Sequence, residues 1–201
     1  MIKIIGFEKI KEKFINLNKK NLITKKIIFS GNEGIGKFLL AKDFANSIYC
    51  NQIKKKNSNL NPNLLIIEKD KDKKFIEISK IREMIKYINH SSFNNDKRII
   101  LIRDVETLNI NSTNALLKSL EEPNFGVYFI LTYNNEKYLF DTLKSRCIEF
   151  KLKIDLNNIK EIVNNNFNDN IYNSLSDDFK IPYLTPSFLI NLIKFFKFNN
   201  Y

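Results

Sequence analysis

The residues with the clearest chemistry are Gly31-Asn32-Glu33-Gly34-Ile35-Gly36-Lys37, spaced G-x-x-x-x-G-K. An apolar run, Ile27-Ile28-Phe29, precedes them and an amphipathic stretch, Leu39 to Tyr49, follows, so the loop falls where a strand turns into a helix. In that setting successive backbone N–H groups and the helix N-terminus cradle phosphate oxygens, while the lysine reaches the outer phosphates. Three of the chain's five glycines lie in this loop, which points to a backbone need for them there. The next position should carry a Ser or Thr hydroxyl to hold Mg²⁺. It is Phe38, whose ring cannot ligate a hard cation. The phosphate loop is complete and its metal ligand is missing.

Nucleotide hydrolysis also needs a second strand ending in acidic residues, one for the metal and one to orient water. The candidate is Ile99-Ile100-Leu101-Ile102, followed by Arg103 and Asp104. If these two occupy the acidic positions, a guanidinium stands where the metal-side carboxylate belongs, and both metal contacts fail together. The other reading displaces the acidic pair to Asp104 and Glu106.

Strands alternating with helices must position these groups. Spacing predicts an entry helix over Phe7 to Leu17, a strand over Ile27 to Ser30 and a helix over Lys37 to Cys50. Strand Leu64 to Ile67, helix Ile78 to Ile88, strand Ile99 to Ile102 and helix Asn111 to Glu122, stopped by Pro123, come next. Strand Val127 to Thr132, helix Glu136 to Ser145 and strand Cys147 to Leu152 complete the alternation. Continuous apolar strands of this kind belong to a parallel sheet covered on both faces, so the fold class is α/β. After Asp155 only helical patterns remain, Leu156 to Phe167 and Phe188 to Phe198. The expected division is a P-loop domain over 1–154 and a small all-helical domain over 155–201.

Of the 201 residues, 43% are hydrophobic, ample for a packed core. The formal net charge is +11, carried almost entirely by Lys beside abundant Asn, Ile and Phe. These are residues that A/T-rich codons specify, so the charge is either a solvated surface or a face that tracks nucleic-acid phosphates. Cys50 and Cys147 with the lone His90 form no zinc-ligand spacing, so neither zinc nor another metal is expected. Cys147 reads as a small buried hydrophobe at a strand start. No signal peptide and no membrane-length apolar run are present, so a cytoplasmic protein with reduced thiols is expected.

Three blocks carry a family resemblance: Asn114-Ala115-Leu116-Leu117-Lys118-Ser119-Leu120-Glu121-Glu122-Pro123, then Tyr128-Phe129-Ile130-Leu131-Thr132, then Ser145-Arg146-Cys147. With the opening Ile5-Gly6-Phe7-Glu8-Lys9-Ile10, they resemble the AAA+ motor domain of bacterial clamp loaders, subunits of DNA polymerase III. The resemblance implies an AAA+ P-loop fold, with a helical lid over 155–201. Counting back from Asn114 as that family aligns places Arg103 at the Mg²⁺-binding aspartate and Asp104 at the following glutamate. Thr132 matches the first sensor position, and Ser187 lies about where active members carry a lid arginine.

Phe38, Arg103 and the absence of any arginine after Arg146 make the chain similar to the delta-prime group, whose nucleotide site is commonly degenerate. For Arg146 the resemblance implies an arginine finger supplied in trans to a neighbour's ATP site. Outside the Ser-Arg-Cys context, an Arg between a helix and a strand reads as a surface ion-pair residue. The implied partners are gamma/tau ATPase and delta subunits, with primed DNA and the sliding clamp reached through the complex. No cofactor is required, and weak ATP or ADP binding without Mg²⁺ at Gly31, Gly34, Gly36 and Lys37 is compatible with the loop. The zinc module expected after the P-loop helix is reduced to Cys50, and 201 residues leave no room for the family's helical collar domain. Two other functions fit the same residues: an active gamma/tau-type ATPase that tolerates Phe38, and a basic DNA-binding module with a relict P-loop.

Overall fold

The computed structural model describes residues 4–20, 22, 24–50, 63–89, 97–121, 126–167, 170–181 and 183–198. Five strands, β1 (Lys26–Gly31), β2 (Leu64–Ile67), β3 (Arg98–Ile102), β4 (Val127–Asn134) and β5 (Ile148–Lys151), form one sheet. All pairings are parallel and the order is β2-β3-β4-β1-β5. Every residue of β3 is buried: Ile99 to Ile102 as an unbroken apolar run requires, and Arg98 with its guanidinium donating to the Tyr87 and Ile88 carbonyls.

Side-chain alternation splits each run between two layers. Ile27, Phe29, Ile99, Leu101 and Ile130 pack on one face, with Phe7 just before the entry helix, Phe14 within it, and Leu40, Phe44 and Ile48 from the P-loop helix. These helices are α1 (Glu8–Lys19) and α2 (Lys37–Cys50). Phe14 lies 4.2 Å from Phe44 and 5.4 Å from Phe29 between ring centroids, so an aromatic wedge ties α1 to α2 and β1. Ile28, Ile100, Ile102, Phe129 and Leu131 face the other way, against Ile81 and Met84 of α3 (Ile78–Asn89) and Leu116 and Leu120 of α4 (Ile110–Glu121).

The helix expected over Glu136 to Ser145 is cut to one turn, α5 (Asp141–Lys144). Asn134 Oδ1 accepts from the Glu136 amide at 3.1 Å, and Tyr133 Oη donates to the Lys137 carbonyl at 2.6 Å. These local side-chain bonds hold the segment after β4 as a turn. Beyond β5 the described chain is helical: α6 (Leu156–Phe167), the unexpected short α7 (Ile171–Ser174), and α8 (Pro186–Phe198). Ile159, Val163, Tyr172, Leu189 and Ile193 give this part its own apolar cluster. Pro123 and His90 lie outside the described residues.

Because β4 is inserted between β1 and β3, the carboxyl ends of all three strands stand side by side. In open parallel sheets this edge is where ligands bind.

Candidate functional site: a phosphate loop beside Phe38 and Arg103

The loop joining β1 to α2 needs backbone that only glycine adopts freely. Gly34 and Gly36 have φ of 83° and 96°. Around them the chain wraps the Lys37 side chain, which is 6% exposed. Lys37 Nζ donates to the carbonyls of Gly31 at 2.8 Å and Asn32 at 2.7 Å. An ammonium has three protons, so one remains for a ligand inside the loop. Burial pushes the Lys37 pKa below the ordinary lysine value, opposed by attraction from Asp104, Glu106, Glu33 and Glu136.

Phe38 and Arg103, both read from the sequence as replacements for metal ligands, meet in space. The Arg103 guanidinium carbon lies 4.9 Å from the Phe38 ring centroid. Arg103 Nη1 also donates to Glu68 Oε2 at 3.1 Å, and its Nε lies 3.5 Å from Asp104 Oδ2. Glu68 was not singled out from sequence. The signal was there in the topology: β2 neighbours β3 in parallel, so the residue after Ile67 must stand beside the residue after Ile102.

Asp104 adopts a left-handed conformation, φ 53° and ψ 59°, ahead of the 3-10 turn Val105–Thr107. Its amide donates to Thr132 Oγ1 at 2.9 Å, and its carbonyl accepts from Thr107 Oγ1 at 2.7 Å. The Thr132 side chain, fully buried on β4, is thereby committed to fixing the turn after β3. Glu106, the alternative acidic residue, points inward with its side chain 2% exposed. It accepts from the Asn134 amide at 3.3 Å and lies 3.9 Å from Lys137 Nζ. Burial raises its pKa above the usual carboxylate value, partly offset by backbone hydrogen bonds. The structure therefore keeps Asp104 and Glu106 apart in environment: one at the surface beside Arg103, the other folded under β4.

The helical part closes over the loop. The Ser187 amide, in the first turn of α8, donates to the Gly34 carbonyl at 3.3 Å. A Cβ on Gly34 would lie 2.6 Å from Thr185 Oγ1 and 2.9 Å from Ser187 Cβ. Beside this contact, Asn32, Ile35, Leu152, Lys153, Ile154, Tyr183, Leu184 and Thr185 line a cavity of about 350 Å³ of mixed polar and apolar character.

Arg146 lies on the other side, between α5 and β5. It is 32% exposed, donates through Nη1 to the Thr142 carbonyl at 2.8 Å, and pairs through Nη2 with Glu121 at the end of α4. Cys147 is half-buried and its thiol is pushed up to about 11 by burial. Among the described residues no cluster of three or more His, Cys, Asp or Glu could hold a metal. No helix among them is long and apolar enough to cross a membrane.

A parallel sheet of this strand order, with a glycine loop after β1 and a helical part folded onto that loop, defines an AAA+ P-loop module. A Thermotoga maritima protein related to the DNA polymerase III gamma subunit has the same fold, with a TM-score of 0.58 at 21% identity. The match covers 77% of this chain and 49% of that one. The chain belongs to the family described as DNA polymerase III, delta subunit, whose model matches residues 6–155, and is thus a member of the clamp-loader family. It is 27% identical over 131 residues to DNA polymerase III subunit delta' of Pseudomonas aeruginosa, covering 59% of this chain and 40% of that protein. It is 32% identical over 192 residues to the gamma subunit of Buchnera aphidicola subsp. Schizaphis graminum, covering 87% of this chain and 53% of that protein. The match thus spans about half of these two relatives' length and less of several others.

Proposed function

We propose that this chain is a delta-prime-like clamp-loader subunit that does not hydrolyse ATP and instead supplies Arg146 to a neighbouring subunit's ATP site. The observation that carries the reading is the contact between Phe38 and Arg103. A Mg²⁺ ion needs hard oxygen ligands, and these positions offer an apolar ring and a fixed positive charge. The chain keeps a phosphate loop that it cannot use for metal-assisted phosphoryl transfer. Its contribution then passes through Arg146, held at the surface, whose guanidinium would stabilise charge developing on a neighbour's γ-phosphate. The partners on this reading are gamma/tau-type and delta subunits, with primed DNA and the sliding clamp engaged through the assembly. No zinc is required.

The test is DNA-dependent ATPase of a reconstituted complex carrying Arg146→Ala. Turnover is expected to fall while assembly stays intact, and unchanged turnover removes the reading.

A second reading, an active gamma-type ATPase, is favoured by one feature: Lys37 already bridges the loop carbonyls with a proton to spare. Mg²⁺-dependent ATP turnover by the chain alone would favour it over the first.

A further inference from the structure

The misfit between this site and Mg²⁺ has a definite shape. Arg103 is held in register, its amide donating to the Ile67 carbonyl at 2.8 Å, so its position at the end of β3 is fixed by the sheet. Its guanidinium then lies over Phe38, the first residue after the loop lysine. The two points that a metal ion would join are joined by a cation resting on a ring. A positive charge with directed N–H donors therefore stands beside the loop, where the metal's charge would otherwise be supplied.

We propose that Arg103 is the site's built-in counter-cation, so that the loop takes a nucleoside di- or triphosphate in its metal-free form and Mg²⁺ weakens binding. This rests on the reading of the site as non-catalytic and adds to it the ionic form of the ligand. Four features support the geometry. Lys37 keeps one N–H for a phosphate oxygen. The loop amides open α2, a helix of 14 residues, toward an anion. The cavity beside the loop, lined by Ile35, Leu152, Ile154 and Leu184 together with polar Asn32 and Lys153, offers room for a base. Arg103 is 46% exposed and its present partners, Glu68 and Asp104, are themselves 50% and 36% exposed. Exposed pairs of that kind exchange readily. An arginine–phosphate contact is charge-assisted and can be bidentate, so a polyphosphate competes well for the guanidinium. A phosphate already carrying Mg²⁺ would bring a second cation against Arg103 and lose part of its own negative charge.

The experiment is titration of the 201-residue chain with ATP and with ADP, in EDTA and in excess Mg²⁺, followed by calorimetry. Binding is expected in EDTA and is expected to weaken on the order of tenfold with Mg²⁺, the scale of one charge-assisted hydrogen bond. Arg103→Ala should lose about that factor in EDTA and with it the sensitivity to Mg²⁺, while Arg103→Lys keeps the charge and part of the sensitivity. The double variant Phe38→Thr, Arg103→Asp should reverse the sign, with Mg²⁺ now tightening binding. Thermal unfolding of each variant verifies that it is folded. Tighter binding of the wild type with Mg²⁺, equal affinities in the two conditions, or no binding at millimolar nucleotide in EDTA each overturn the proposal. None of these touches the Arg146→Ala result in the reconstituted complex, so the two readings fail separately.

Discussion

The Arg103 guanidinium carbon lies 4.9 Å from the centre of the Phe38 ring, although 65 positions separate the two in the chain. The contact joins into one structural unit the two residues that the sequence reading places at metal-ligand positions. Since Arg103 is 46% exposed, its coupling to the ring should sit at the lower end for such pairs, about 0.5–1 kcal/mol. A double-mutant cycle with Phe38→Ala and Arg103→Ala, read by urea unfolding, measures it. Additive losses would mean that the ring and the guanidinium do not interact.

Gly34 carries two demands at once, a positive φ and a surface without a Cβ against Thr185 and Ser187. Gly34→Ala should cost about 1–3 kcal/mol and raise deuterium uptake over residues 183–198. Gly36→Ala is the control. Its φ is 96°, but a Cβ there meets nothing nearer than Phe7 Cε2 at 3.9 Å, so it should destabilise without loosening α8. Equal uptake in the two variants would mean that the contact of Gly34 with Thr185 and Ser187 does not hold α8 in place.

Arg146 and Glu121 are 32% and 51% exposed, so the ion pair between them adds little to stability. Arg146→Ala and Glu121→Gln are each expected to change unfolding free energy by less than about 1 kcal/mol. A larger loss would assign Arg146 a structural role and weaken its assignment in trans. Arg146→Lys should not restore turnover in the reconstituted complex, because an ammonium lacks the planar fork.

Glu106 and Lys37 make stability depend on pH in opposite arms. The folded-state pKa of Glu106 is raised, so between the unfolded value and the folded value the native state holds the extra proton. Stability therefore falls as pH rises through that window and is higher on its acid side. The folded-state pKa of Lys37 is lowered, so between its folded value and 10.5 the unfolded chain holds the extra proton and stability rises with pH. Glu106→Gln should flatten the acid arm and Lys37→Met the alkaline one, measured by urea midpoints across pH. An unchanged acid arm in Glu106→Gln would mean that another group supplies it.

Much of this was legible because it is local. The glycine spacing, the lysine and the continuous apolar strands each depend on a few neighbouring residues, and β2 and α2 begin and end where the spacing puts them. The strands' two-sided burial follows from side-chain alternation alone. What escaped depends on distant partners. Glu68 bonds Arg103 across 35 positions, and Thr185 crowds Gly34 from the far end of the chain. Glu121 belongs to a motif that marks the family, yet nothing in its helical spacing says that it will hold Arg146. The helix over Glu136 to Ser145 was overread because Tyr133 and Asn134 spend their polar atoms on the backbone that follows them.

The ring-and-guanidinium contact also bears on how such a site could change with time. Arg103→Asp alone would set a new carboxylate beside Glu68 and Asp104 and remove the guanidinium that pairs with both, with Phe38 still unable to help bind a metal ion. Phe38→Thr alone would restore a hydroxyl beside a guanidinium that repels its metal. On the proposed non-catalytic reading, either single change toward an ion site leaves the other residue still opposed to the metal, so Phe38 and Arg103 would have to change together.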